Sequence, residues 1–389
     1  MNQILTIYFQ PFNWYAHIYL IYRRRNMSNL NHLAGWLTEK QADAAFITST
    51  ENVFYLSGFN SDPHERLLAV LAFPKDEPIL VCPMMEVPDA KQAGWSYEIV
   101  GISDTENPWE ILKNVLKKRS ISIKTLAVEK EHLTMERLEG LNSILENPVY
   151  ISAEEKMRQL RMVKSQAELK IIKEACRLAD YAVKIGTEEI AEGKTEMEIL
   201  AALEYQLKKE GVSQMSFDTM VLTGENAASP HGVPGQTKVK KGDLVLFDLG
   251  VVVDGYCSDI TRTVAYGSIN DEQKEIYNTV LKAQIAAVEA CRPGVTCSEI
   301  DLTARNIIRE QGYGEYFPHR LGHGLGISVH EYPSLTEVNN LPLQEGMVFT
   351  IEPGIYVPGK AGVRIEDDLY ITETGVEILT KFPKELITL

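Results

Sequence analysis

The chain has 389 residues, 44% of them hydrophobic, which is enough to bury more than one core without disulfides. A formal net charge of -15 with no local basic stripe speaks against nucleic acid as a partner. The five cysteines (Cys82, Cys176, Cys257, Cys291 and Cys297) are odd in number and lack CxxC spacing, so they read as buried thiols in a reducing compartment.

Residues 1–26 are rich in Tyr, Phe and Ile, contain no acidic residue and end in three arginines. Asn2, Gln3, Gln10, Pro11, Asn13 and His17 interrupt the apolar run, which makes a poor spanning helix, and the basic cluster follows it, which makes a poor secretory signal. Met27 is therefore expected as the natural start, with 1–26 an atypical extension and no stable membrane partner. LNHLAGWLTE then has helical period, and ADAAFITST, NVFYLSGF, LLAVLAF and PILVCP read as strands. PWEILKNVLKKRS predicts an amphipathic helix, KTLAVE a strand and HLTMERLEGLNSIL another helix. This alternation predicts an α/β domain over 27–150. No GxGxxG or P-loop occurs, so nucleotide binding has no support.

A second domain is expected over 151–389. It opens with a long helical region from Ser152 to Gly186, where Ser152 and Glu155 suggest a capping box. Further helices are predicted over 194–210, Lys274–Ala290 and Ser298–Gln311. Between and after them, DLVLFDLGVVVDGYCSDITRTVAYG and GMVFTIEPGIYVPGKAGVRIEDDLYITETGVEIL are strand-rich. Helices in pairs beside two strand blocks predict an α+β domain with helices covering a curved antiparallel sheet.

The chemistry concentrates in those strand blocks. Asp254 and Gly255 form a hairpin turn that returns Asp259 toward Asp248; two carboxylates across a ladder repel unless a cation lies between them. The plainer reading has one carboxylate capping a turn and the other pairing with Arg262. Glu352 ends the apolar strand MVFTI, and Glu366 follows Arg364 on one strand face; a salt bridge is the alternative to coordination. Arg364 can hold a substrate carboxylate or balance the acidic cluster. Asp367 is expected as a helper and Asp368 as a solvent-facing group. Within FPHRLGHGLGISVHEYP, His323 lies between Gly322 and Gly324 and is the best ligand. His319 and His330 suit proton handling or anion stabilisation, and His231 is fixed between Pro230 and Gly232 in an irregular loop. HEYPS is not HExxH, because Ser334 stands where a second zinc-binding histidine is needed. Asp248, Asp259, His323, Glu352 and Glu366 form an oxygen-rich set suited to two divalent cations, a device for activating water against an amide.

These segments resemble the metallopeptidase family that includes Xaa-Pro dipeptidase (prolidase), aminopeptidase P, methionine aminopeptidase and the metal-free creatinase. The likeness covers residues 30–389. It implies a pita-bread catalytic domain, two metal ions (Mn2+, with Co2+ or Zn2+ as alternatives), a smaller N-terminal α/β domain and a homodimer. Methionine aminopeptidases fit less well because they lack the N-terminal domain, and creatinase because every metal carboxylate is present here. FYLSGFNSDPHERLLAVL and Arg320 resemble the bacterial prolidases, where the loop around Asp62, His64, Glu65 and Arg66 approaches the partner subunit's active site. The resemblance implies Xaa-Pro dipeptides as substrates, with longer Xaa-Pro peptides (aminopeptidase P) as the alternative and a non-catalytic peptide-binding protein as a further one. It assigns proton transfer to Glu352, carbonyl and oxyanion contacts to His231 and His330, substrate positioning to His319, and the substrate carboxylate to Arg320 or Arg364. A cytoplasmic location is expected.

Overall fold

The computed structural model describes residues 28–389, so the expected extension over 1–26 lies outside the described residues. The chain divides into two compact units, with the division after Leu160.

The N-terminal unit opens with a helix over 28–39 and contains a six-stranded sheet. Its strands are β1 (Ala44–Ile47), β2 (Ala69–Ala72), β3 (Ile79–Pro83), β4 (Glu98–Ile102), β5 (Thr125–Val128) and β6 (Val149–Ser152), in the order β4-β3-β2-β1-β5-β6. The parallel pairs β3–β4 and β5–β6 are separated in sequence by helices Val87–Gln92 and Met135–Ile144, as parallel crossovers require. β1, β2 and β3 are buried at every residue, which is why their sequences are continuous apolar runs rather than alternating ones. Leu112 and Leu116 of helix Pro108–Lys118, one turn apart, join Phe46, Leu71 and Val81 in the core.

Two local expectations are corrected. NVFYLSGF is not a strand but most of helix Thr50–Ser57. Its aromatic and β-branched residues favour a strand, but a distant side chain decides. The Glu129 carboxylate accepts the Thr48 and Ser49 backbone N–H groups at 2.5 and 2.9 Å and the Asn52 amide at 2.6 Å. Gly58, at φ 74°, closes the other end by donating to the Phe54 carbonyl. The long helical region is likewise broken, into Glu154–Met162 and Gln166–Glu188. Lys164 donates its backbone N–H to the Gly346 carbonyl at 2.7 Å instead of continuing the helix, and Ser165 with Glu168 forms the capping box of the second piece. Ser152 belongs to β6, and its hydroxyl bonds Glu154 rather than Glu155.

In the C-terminal unit every strand pair is antiparallel. The strands are β7 (Gln214–Met215), β8 (Met220–Thr223), β9 (Asp243–Leu249), β10 (Val251–Val253), β11 (Tyr256–Cys257), β12 (Ile260–Tyr266), β13 (Gly322–Gly324), β14 (Glu331–Leu335), β15 (Val348–Ile351), β16 (Gly354–Val357), β17 (Ala361–Arg364), β18 (Asp367–Ile371) and β19 (Val376–Ile378). They form the groups β11-β10-β7, β12-β9-β8, β14-β13-β15-β18-β19 and β16-β17. Helices Gln166–Glu188 and Glu196–Lys209 cover β9 and β12 through Ala179, Val183, Leu203, Phe247 and Val264. Helices Asp271–Ala290 and Cys297–Glu310 cover β15, β17 and β18 through Val280, Ala287, Ile300, Phe349 and Leu369. This is the expected pita-bread arrangement: strands that bury one face under a helix pair and turn the other inward.

Strand alternation then sets the inward face. On β9, Val245, Phe247 and Leu249 pack under the first helix pair, so Asp248 points the other way. Ile260 and Val264 do the same on β12 and leave Asp259, Thr261 and Thr263 opposite. Phe349 and Ile351 on β15 leave Thr350 and Glu352; Val363 and Ile365 leave Arg364 and Glu366. The Asp254–Gly255 turn has φ of 45° and 79° and joins β10 to β11, as the sequence indicates.

Candidate metal centre

The inward faces converge on a cavity of about 630 Å3 lined by Asp248, Asp259, His323, Glu352 and Glu366, together with His231, His319, Arg320, His330 and Arg364. One donor atom each from Asp259, His323 and Glu366 lies within 4.8 Å of the others, and all three residues are buried. The Glu352 Oε1 and Asp259 Oδ2 atoms stand 3.5 and 3.7 Å from His323 Nε2.

Glycine makes the histidine's position possible. A Cβ on Gly322 would lie 1.9 Å from the Thr350 carbonyl oxygen, and one on Gly324 would lie 2.3 Å from that of Tyr332. His323 Nδ1 donates to the Gly324 carbonyl at 3.1 Å, which assigns the proton to Nδ1 and leaves the Nε2 lone pair facing the carboxylates. Burial, with His330 and Arg320 adding to it, lowers the His323 pKa to about 3, so no imidazolium proton fills that gap at neutral pH.

The carboxylates are equally unsatisfied. Asp248 Oδ1, Asp259 Oδ1 and Glu366 Oε1 are buried without a hydrogen-bond partner. Burial and then Asp248 lift the Glu366 carboxyl to about 7, although the Thr261 hydroxyl donates to it at 2.7 Å. Burial and then Glu366 raise both Asp259 and Glu352 well above the usual carboxylate range. Lone pairs facing lone pairs in a buried site are costly, and divalent cations remove that cost. The residues present therefore fit a metal.

Several partners had no signal in the sequence. Arg364 donates to Asp248, to the Tyr356 hydroxyl at 2.7 Å and to Thr261 at 3.1 Å. The Tyr356 hydroxyl in turn reaches His319 Nε2 at 3.0 Å, while His319 Nδ1 donates to the Arg320 carbonyl at 2.8 Å. Burial lowers the His319 pKa to about 4, so the ring is neutral and accepts from Tyr356. His330 stands ring to ring with His323, centroids 4.2 Å apart.

Two assignments are corrected. Asp368 is not solvent-facing; it is 0% exposed, accepting the Asp259 backbone N–H at 2.9 Å and the Cys176 thiol at 3.3 Å. The salt bridge expected as an alternative for Arg262 does not involve Asp248 or Asp259, since Arg262 pairs with Asp367 at 2.6 Å. All five cysteines are buried and unpaired, and burial pushes Cys257 up to about 12, leaving an inert thiol. Asp62, His64 and Arg66 lie in the N-terminal unit, where Arg66 bonds Asp104 at 2.7 Å.

Residues 170–373 match the model of metallopeptidase family M24, and residues 29–163 match the creatinase/prolidase N-terminal domain. The chain belongs to metallopeptidase family M24. Among its relatives is the Bacillus subtilis strain 168 protein YkvY, provisionally named a dipeptidase. It is 55% identical, over 93% of this chain and 100% of that one. The solved prolidase from Pyrococcus horikoshii OT3 is 40% identical with a TM-score of 0.85, covering 92% of this chain and 100% of that one. An X-Pro aminopeptidase from Thermotoga maritima MSB8 is 36% identical with a TM-score of 0.81, covering 90% and 98%. Among the described residues no helix is long and apolar enough to cross a membrane.

Proposed function

We propose that this M24 peptidase hydrolyses the bond preceding proline in Xaa-Pro dipeptides, with two divalent metal ions, Mn2+ first among them. The observation that carries the reading is the buried Asp259–His323–Glu366 cluster with its orphaned carboxylate oxygens. Asp248, Asp259, His323, Glu352 and Glu366 would hold the ions. When bound, divalent cations supply Lewis acidity and make water a nucleophile at neutral pH.

The chain's own groups do the rest. Glu352, at the cavity wall and 3.5 Å from His323, takes the proton from the attacking water. His231 and His330 contact the scissile carbonyl and stabilise the oxyanion. Their presence on the wall favours catalysis over the passive peptide-binding alternative. Arg320 lines the same cavity and receives the substrate carboxylate; its hydrogen bond to Ser334 is 3.4 Å long. Arg364 directs Nε, Nη1 and Nη2 to Thr261, Tyr356 and Asp248, three of its five N–H donors, which supports the charge-balancing role over carboxylate binding. His319 lines the cavity and positions substrate, its ring held by the Tyr356 hydroxyl at 3.0 Å. The loop of Asp62, His64 and Arg66 reaches the partner subunit's site in a cytoplasmic homodimer.

Aminopeptidase P activity is the second reading, favoured by the similarity to the Thermotoga maritima X-Pro aminopeptidase. Manganese-supplemented hydrolysis of Ala-Pro beside Ala-Pro-Ala separates the two. Cleavage mainly of the dipeptide is expected; preferential release of alanine from the tripeptide would refute the dipeptidase reading.

A further inference from the structure

Glu196 takes no part in the chemistry above, yet it is 0% exposed and grips the loop that carries His231. It is the first residue of helix Glu196–Lys209, and its carboxylate faces four contacts from donors. Oε1 accepts the Thr223 backbone N–H at 2.8 Å and the Asn226 amide at 3.0 Å. Oε2 accepts the Gly235 backbone N–H at 2.8 Å and the same amide at 3.0 Å. Thr223 and Gly235 are the two feet of the loop 224–234, so one buried side chain ties both.

The surroundings reinforce the clamp. The Met197 and Glu196 backbone N–H groups donate to the Gly235 and Thr237 carbonyls at 3.3 and 3.1 Å. Asn226 also donates to the Val233 carbonyl at 3.3 Å, across the loop. On its other side the loop lies against β17, where a Cβ on Gly362 would fall 1.6 Å from the Ala227 carbonyl oxygen. Between the feet, residues 230–234 form a continuous part of the cavity wall. His231 is exposed there, so the loop backbone sets the point from which its ring reaches the cavity.

We infer that Glu196 is a positioning residue for His231, holding the 224–234 loop at the distance from the metal ligands that the reaction needs. The inference rests on the reading of His231 as a group that contacts the substrate carbonyl. A carboxylate is required because all its partners are donors; glutamine would turn an NH2 group toward an N–H. Small displacements of a catalytic group are expensive in rate: a shift of about 1 Å can cost on the order of 100-fold.

The test is a double-mutant cycle on the metal-loaded enzyme, measuring kcat and KM for Ala-Pro, bound metal and Tm. Glu196→Gln should lower kcat by about tenfold or more at unchanged metal content, and should add almost nothing once His231→Ala is present. Asn226→Ala, which loosens the grip without opposing donors, should show the same non-additivity with a smaller loss if Glu196→Gln folds poorly. Equal losses in both backgrounds, or a lowered Tm with kcat unchanged, would overturn the inference alone. Full kcat in His231→Ala would overturn the reading of His231 and the inference with it.

Discussion

Raising the pH across neutrality should tighten metal binding by the metal-free protein and drive protons out of it. The magnitude follows from Glu366, whose carboxyl is lifted to about 7 by burial and by Asp248. Such a group is roughly one-eleventh ionised at pH 6 and ten-elevenths ionised at pH 8, so its ionisation alone changes apparent affinity about tenfold, or ~1.4 kcal/mol. Asp259 and Glu352, raised well above the usual range, steepen the dependence. Calorimetric titration of Mn2+ at the two pH values, in buffers of different ionisation enthalpy, measures both affinity and protons released. Equal affinity at both pH values with no proton release would refute the reasoning. The same group acts on stability. Its folded pKa lies above its unfolded one, so the metal-free fold binds this proton more tightly than the unfolded chain. That contribution is present at acid pH and lost as pH rises from about 4.5 to about 7, so Tm of the metal-free protein falls across that window relative to the metal-loaded form.

Arg262→Met should destabilise the protein by about 3–5 kcal/mol, because it leaves the Asp367 carboxylate, 0% exposed, without its buried guanidinium. Denaturant unfolding of the metal-loaded protein reads this, and a change below 1 kcal/mol would mean that Lys384 and Gln284 suffice for Asp367. Arg320→Ala should raise KM for Ala-Pro by about 10–100-fold while leaving Ala-Pro-amide nearly unaffected, since a charge-assisted contact to the carboxylate is worth about 1.5–3 kcal/mol. An equal effect on both substrates would move the carboxylate contact elsewhere.

The ligand segments are legible in sequence because each combines an ionisable residue with an apolar strand or with glycines, and strand alternation then turns it inward. Asp248 after Phe247, and Glu352 after Ile351, follow that rule. Glu196, Thr261, Tyr356 and Asp368 were not legible, because what matters in them is a tertiary partner rather than a local pattern. Asp368 follows two acidic residues and reads as a solvated charge, yet it is buried against the Asp259 backbone. The helix Thr50–Ser57 is hidden in the sequence for the same reason, since Glu129, far along the chain, supplies the acceptors at its start. A buried glutamate two residues before Glu198 of an ordinary capping box offers no hint that it ties both ends of the loop carrying His231.

On the proposed function, Asp248, Asp259, His323, Glu352 and Glu366 hold the metal that makes this chain a peptidase. Stripping the protein with a chelator and reloading it with Mn2+, while following Ala-Pro hydrolysis by the wild-type and Glu352→Gln proteins, tests that claim most directly. The account predicts no turnover without metal, recovery that saturates near two ions per subunit, and negligible recovery in the variant. Full hydrolysis by the metal-free protein, or wild-type rates from Glu352→Gln, would contradict it.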